Sequence, residues 1–226
     1  MAYVSLGDER KFGYINQKGK LVIPYRFTWA RDFHQGFAVV QLSKGRYAYI
    51  DKKGKVVLHS NKWLAVDDFS EGLAGVQVEV TDNSAYRGYQ DQKYGFIDRT
   101  GKFVIPPRFY GVQKFSEGKA LVFQTGRNHG YGFIDAKGAI VIKPEYADGR
   151  SFSEGLAAMA IKPPDDRKLW GYINPQGKWV IEPQFRNVNS FHGGLAAVNC
   201  DEYWRHCQAY VDREGKIRWE SLRVGR

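Results

Sequence analysis

Apolar and polar positions alternate along this chain in short runs, and the runs recur. Residues 94–105, YGFIDRTGKFVI, set rings and aliphatic side chains two apart, break at a polar stretch, and resume. Period-two alternation around a turn with Asp and Gly predicts strand, hairpin, strand. Nearly the same text stands at 12–23 (FGYINQKGKLVI), 47–58 (YAYIDKKGKVVL), 131–142 (YGFIDAKGAIVI) and 170–181 (WGYINPQGKWVI). A worn copy, QAYVDREGKIRW, occupies 208–219. A second phrase links the copies: FHQGFAVV (33–40), FSEGLAGV (69–76), FSEGKALV (115–122), FSEGLAAM (152–159) and FHGGLAAV (191–198). Recurrence at this spacing predicts a repeat architecture.

Each unit then reads as three strands: the LAAV phrase, a loop, the WGYID phrase, a turn, and the KxVI return. AYVSL at 2–6 supplies the first strand of the first unit. The expectation is one all-β repeat domain over 1–226, with units near 1–32, 33–68, 69–114, 115–151, 152–190 and 191–226. Both faces of a unit are apolar. Tyr94, Phe96 and Val104 are expected on one face, and Ile97, Phe103 and Ile105 on the other. A sheet apolar on both sides must lie between two others. Glycine at the second motif position (Gly13, Gly95, Gly132, Gly171) is expected to admit a neighbouring ring, and Pro106 to help end the return strand.

In the last copy Gln208, Tyr210, Asp212, Lys216 and Arg218 are expected to share a face. This exchange of apolar for polar groups is the pattern of a capping repeat. Six three-stranded antiparallel meanders stacked as an open, solenoid-like superhelix are therefore favoured. A closed six-bladed, propeller-like ring is the alternative.

These motifs resemble the WG-repeat family, a mostly bacterial group named for the dipeptide seen here as Trp170-Gly171. It appears elsewhere as Phe12-Gly13, Tyr94-Gly95 and Tyr131-Gly132. The resemblance implies an all-β repeat module that mediates interactions. It brings no catalytic residues.

Composition changes the picture little. Aromatic residues make up 15% of the 226, with 25 Gly, which suits short strands and tight turns. No apolar run approaches the ~20 residues that cross a bilayer. The N-terminal stretch has no basic segment followed by an apolar one, and there are only two Cys, so a cytoplasmic location is expected. A net charge of +10 favours an acidic partner.

The search for chemistry returns structural roles. His34 and His192 take the place of Ser70, Ser116 and Ser153, as turn residues. Cys200 and Cys207 bracket one loop without a second CxxC pair, so no metal or other cofactor is predicted. The repeated xxGK lacks the helix and hydroxyl of a P-loop. No nucleophile elbow appears, and the chain does not read as an enzyme.

Two edges remain as candidate surfaces. The loops joining the first and second strands vary while the frame repeats, and they gather Tyr, Trp and Arg. Their candidates for binding a partner protein are Tyr86, Arg87, Tyr89, Arg127, His129, Tyr203, Trp204 and Arg205. The hairpin tips carry Lys20, Lys55, Lys102, Lys178 and Lys216 at equivalent positions, with Lys53, Arg99 and Lys137 beside them. This cation row is the candidate nucleic-acid surface, although Lys at a sheet margin also discourages edge pairing. A non-catalytic adaptor working through its loops is the leading reading. Nucleic-acid binding and glycan or small-ligand binding are the alternatives.

Overall fold

The computed structural model describes residues 1–6, 11–42, 45–80, 92–125, 129–162, 168–200 and 207–221. Two compact units, Met1–Lys114 and Phe115–Arg226, divide the chain. Both are built from small antiparallel sheets.

The first unit opens with β1 (Ala2–Leu6), β2 (Lys11–Ile15) and β3 (Leu21–Phe27), hydrogen-bonded in that order. Next come β4 (Trp29–Ala30), β5 (Ala38–Gln41), β6 (Tyr47–Ile50) and β7 (Val56–His59). The third sheet is β8 (Trp63–Val66), β9 (Ala74–Glu79), β10 (Gln92–Ile97) and β11 (Phe103–Phe109), followed by β12 (Gly111–Val112). In the second unit β13 (Ala120–Gln124), β14 (Gly130–Ile134) and β15 (Ile140–Tyr146) are antiparallel neighbours. Two four-stranded sheets follow. One is β16 (Asp148–Gly149), β17 (Ala157–Ile161), β18 (Leu169–Ile173) and β19 (Trp179–Phe185). The other is β20 (Asn187–Val188), β21 (Leu195–Cys200), β22 (Cys207–Asp212) and β23 (Ile217–Ser221).

The three expected strands are present in each repeat, in the expected order. The linking segment adds to them, because β4, β8, β16 and β20 pair along the outer edge of the LAAV strand. Each therefore satisfies backbone groups that would otherwise line an open edge.

Alternate faces go to alternate neighbours. In the second unit Ala157, Met159 and Ile173 pack with Leu121, Phe133, Ile142 and Tyr146 of the preceding repeat. The opposite face, with Ala158, Ala160, Trp170 and Tyr172, packs with Val188, Ala196, Val198 and Ala209 of the following one. In the first unit Tyr14, Ile23 and Phe27 meet Ala38, Val40, Ala48 and Ile50 in the same way. Burying one such aromatic or aliphatic side chain contributes about 1.5–3 kcal/mol, and a repeat buries several on each face.

Motif glycine differs from the expectation in what it admits. A Cβ on Gly95 would lie 2.5 Å from the Ile105 carbonyl oxygen and 2.7 Å from Pro107 N. The close neighbour is the repeat's own return strand, not a ring from the next repeat. Register explains this. Tyr94 pairs with Phe109 and Phe96 with Ile105, so two steps on β10 span four on β11. The extra residues bulge over Gly95 and contain Pro106 and Pro107, which cannot donate to a regular ladder. The same offset occurs opposite Gly13, Gly132 and Gly171. Ala48 and Ala209 face return strands without Pro, and there the ladder is regular, with Ala48 opposite His59 and Ala209 opposite Glu220.

Pro106 therefore does not end its strand, which runs on to Phe109. The bulge and hairpin register also reassign the faces. Phe96 shares its face with Ile105, while Val104 is 43% exposed.

Candidate interaction surface

Most residues that the repeats share are committed to holding one repeat on the next. At each hairpin tip an Asn or Asp oxygen bridges the amides two and four residues on. Asp51 Oδ1 accepts from Lys53 N and Lys55 N at 2.9 Å each, and Asn174 Oδ1 from Gln176 N and Lys178 N at 3.1 and 3.0 Å. Asp98, Asp135, Asn16 and Asp212 do the same. The Gly between takes positive φ, as in Gly54 at 81°. This explains why the text reads Asn or Asp, two free positions, then Gly.

The FSEG turns form the second link. Phe191 lies 4.8 Å from Tyr172, Phe152 4.7 Å from Phe133 and Phe69 4.9 Å from Tyr49, each Phe meeting the ring of the repeat before it. Ser116 Oγ donates to the Phe152 carbonyl at 2.8 Å, and Ser153 Oγ to that of Phe191 at 2.7 Å. The next residue is left-handed although it is not Gly: Gln35, Glu71, Glu117 and Glu154 have φ of 49–55°. Such a conformation costs about 1–2 kcal/mol.

A hydrogen bond to the next turn offsets that cost. Gln35 Oε1 accepts from Gly72 N at 3.0 Å, and Glu117 Oε2 from Gly155 N at 3.0 Å. Glu154 accepts from both Gly193 N at 2.6 Å and Gly194 N at 2.8 Å. Arg213 stands 3.5 Å from the same carboxylate. Together these donors hold Glu154 below the usual carboxylate range, the Gly194 N–H acting most strongly. The fifth phrase has Gly193 at that position.

His34 and His192 occupy the turn as expected, each starting an isolated bridge, to Phe37 and Leu195. His34 Nε2 is also 3.8 Å from Asp68. The acidic pair Asp67-Asp68 is flanked by Arg31, at 3.8 and 3.6 Å. Burial raises the Asp67 pKa. Among the described residues no cluster of three or more His, Cys, Asp or Glu could hold a metal ion. Among the described residues no helix is long and apolar enough to cross a membrane.

The loop candidates fall mostly outside the described residues: Tyr86, Arg87, Tyr89, Arg127, Tyr203, Trp204 and Arg205 all do. His129 is described, exposed, with its ring edge-on to Phe123 at 5.3 Å. Cys200 and Cys207 are Cα partners closing the β21–β22 ladder.

The tip cations are all exposed. Lys20, Lys53, Lys55 and Lys102 stand on the hairpin tips of the first unit, and Lys137, Lys178 and Lys216 on those of the second. Arg99 is different. Its guanidinium donates to Gln35 Oε1 at 3.1 Å and lies over the Phe37 ring, so it ties a tip to a turn. Sequence position alone could not separate it from the lysines around it.

The pattern called the WG containing repeat matches residues 12–45, 47–79, 94–127, 131–161 and 170–204. The chain belongs to the WG-repeat family. Among solved structures it is similar to BamB from Moraxella catarrhalis, at 10% identity, covering 95% of this chain and 71% of that one, with a TM-score of 0.51. It is also similar to a eukaryotic initiation factor, at 12% identity, 97% and 72% coverage, and a TM-score of 0.50. These neighbours are β-propeller-like repeat folds, and at such identities they speak to fold alone. No curated protein matches the chain.

Proposed function

We propose that this WG-repeat chain is a non-catalytic interaction module, an adaptor that holds a partner protein, within a larger cytoplasmic bacterial assembly. The observation that carries this reading is how the shared residues are used. Motif rings fill the faces between repeats, Asn and Asp oxygens close the hairpins, and Glu and Ser join turn to turn. Such a frame leaves recognition to what the repeats do not share. Those positions are the loops between the first and second strands of each repeat, with Tyr86, Arg87, Tyr89, Arg127, His129, Tyr203, Trp204 and Arg205 as the contacts. The exposed tip lysines favour an acidic surface on the partner.

Affinity purification of the tagged chain from its native cell tests the reading. A protein partner is expected, and Ala at Tyr203, Trp204 and Arg205 together should lose it without moving Tm. Capture of the same partner by that triple variant would remove the loop assignment.

The tip lysines also support a second reading, binding of a nucleic-acid backbone along the tips of each unit. Affinity for random duplex that falls steeply with salt would favour it.

A further inference from the structure

The last repeat presents a face unlike its predecessors. On β20–β23 Asn187 pairs with Asn199, Asn199 with Gln208, and Tyr210 with both Ala197 and Trp219. In repeat two the equivalent positions are Trp29, Gln41, Tyr47, Tyr49 and Leu58. There the face packs against the next repeat, and Tyr49 is wholly buried. In repeat six Tyr210 is 43% and Trp219 52% exposed, their rings 5.9 Å apart. Asn187, Asn199 and Gln208 are exposed beside them. Between the amides and Tyr210 lies a depression of about 310 Å³, floored by Ala197 and rimmed also by Asn189.

Two substitutions run in opposite directions. Aromatic positions 29 and 47 of repeat two become amides at 187 and 208, as water contact alone would favour. Yet the aliphatic position, Leu58 in repeat two and Ile23, Ile105, Ile142 or Ile181 in others, becomes Trp219. A face adapted only to solvent would not gain its largest ring there. Amides set beside two exposed rings suit a neutral, hydroxyl-bearing ligand. Carboxamides donate and accept together, matching the hydroxyls of a sugar, and ring faces accept its C–H surface.

Asn187 is already oriented, since its Oδ1 accepts from Val188 N at 2.9 Å. The named face residues carry no charge. The neighbouring Arg218 is paired with Asp212, which is 7% exposed and caps the hairpin.

We propose that the outer face of repeat six is a binding site for a neutral oligosaccharide, with Trp219 and Tyr210 as the stacking platform and Asn187, Asn199 and Gln208 as the hydroxyl readers. It rests on different residues from the loop surface above.

Isothermal titration of the full chain with cellohexaose, chitohexaose and maltoheptaose tests this. At least one should bind. Trp219→Ala should weaken that binding at least about tenfold, with Tm retained, and Tyr3→Ala, an exposed ring elsewhere, should leave it unchanged. If Trp219→Ala folds poorly, Asn187→Ala with Asn199→Ala reads the same site and should weaken binding comparably. The proposal is overturned if none of the three sugars binds. It is equally overturned if binding survives the loss of both rings, or if oligothymidylate occupies the face in preference.

Discussion

The Tyr172 hydroxyl donates to the Asn189 carbonyl oxygen at 2.7 Å, joining repeat five to the segment beyond β20 in repeat six. Tyr14 reaches the Arg31 carbonyl at 2.8 Å and Tyr49 the Asp67 carbonyl at 2.7 Å in the same way. One side chain therefore packs its ring between two sheets and pins the chain where it enters the next. Tyr210 holds the same motif position in the last copy and is exposed instead.

Removing that hydroxyl should cost little, because the ring is kept. Repeats three and four carry Phe96 and Phe133 at this position, both fully buried. Tyr172→Phe is expected to lower stability by about 1 kcal/mol, the net worth of one hydrogen bond. A reduced urea midpoint at unchanged m-value would show it.

These phenols also set an alkaline limit. Burial raises the pKa of Tyr14, Tyr49 and Tyr172, with Asp32 and Asp68 adding to it at Tyr14 and Asp67 and Asp68 at Tyr49. Below the unfolded pKa of about 10 both states are protonated and nothing changes. Above it the unfolded chain loses phenolic protons that the folded one keeps, so stability should fall as pH rises from about 10. Replacing all three by Phe should flatten that fall in Tm against pH.

Much of the frame was legible in the sequence, since its rules are local and written several times. Strand order, hairpin turns and the two apolar faces follow from period and punctuation. The bulge was not legible from YGFID alone. It depends on pairing Gly95 with Pro106 and Pro107, a dozen residues away, and only the register reveals it. The Phe96–Val104 face assignment failed for the related reason that the tip offsets the two strands. The worn copy advertises its lost apolar groups, whereas its informative change is a gain, Trp219 at a position that is aliphatic in the other copies. Arg99 reads as another tip cation in sequence, because what distinguishes it is a contact with Gln35, 64 residues earlier.

Glycine and bulge should prove coupled. A Cβ on Gly95 meets the Ile105 carbonyl and the proline-bearing backbone, neither of which is a flexible side-chain end. Gly95→Ala should destabilise by about 1–3 kcal/mol through overpacking. The regular ladder beside Ala48 makes no such demand, so Ala48→Gly should cost only about 0.5–1 kcal/mol from added chain entropy. Equal effects of the two substitutions in chemical denaturation would contradict the bulge as the reason for the motif glycine.

Acid should loosen the turn-to-turn links. Glu154, held ionised by the Gly194 and Gly193 N–H groups and by Arg213, has its folded pKa below its unfolded value. Its contribution is complete above about pH 4.5 and fades as pH falls through the lowered folded pKa. Glu154→Gln keeps an acceptor without the titration. The variant should lose less Tm than the parent between neutral pH and pH 3, and an identical acid profile would exclude Glu154 from that transition.

The tip lysines separate scaffold from surface. Their backbone amides are bound by the Asn or Asp that opens each turn, whereas their side chains stand in solvent. Replacing Lys20, Lys55, Lys102, Lys178 and Lys216 by Glu changes charge by −10 while leaving every such amide in place. Surface changes of this kind usually shift stability by no more than about 0.5 kcal/mol each. The variant should therefore fold with a modest change in Tm. Its effect on binding depends on the partner. An acidic protein held mainly by the loops should associate more slowly, with a smaller salt dependence of the association rate, and still be captured. A nucleic acid held along the tips should be lost at every salt concentration. Measuring association rates at two ionic strengths for parent and variant distinguishes a steering role for the lysines from a binding one.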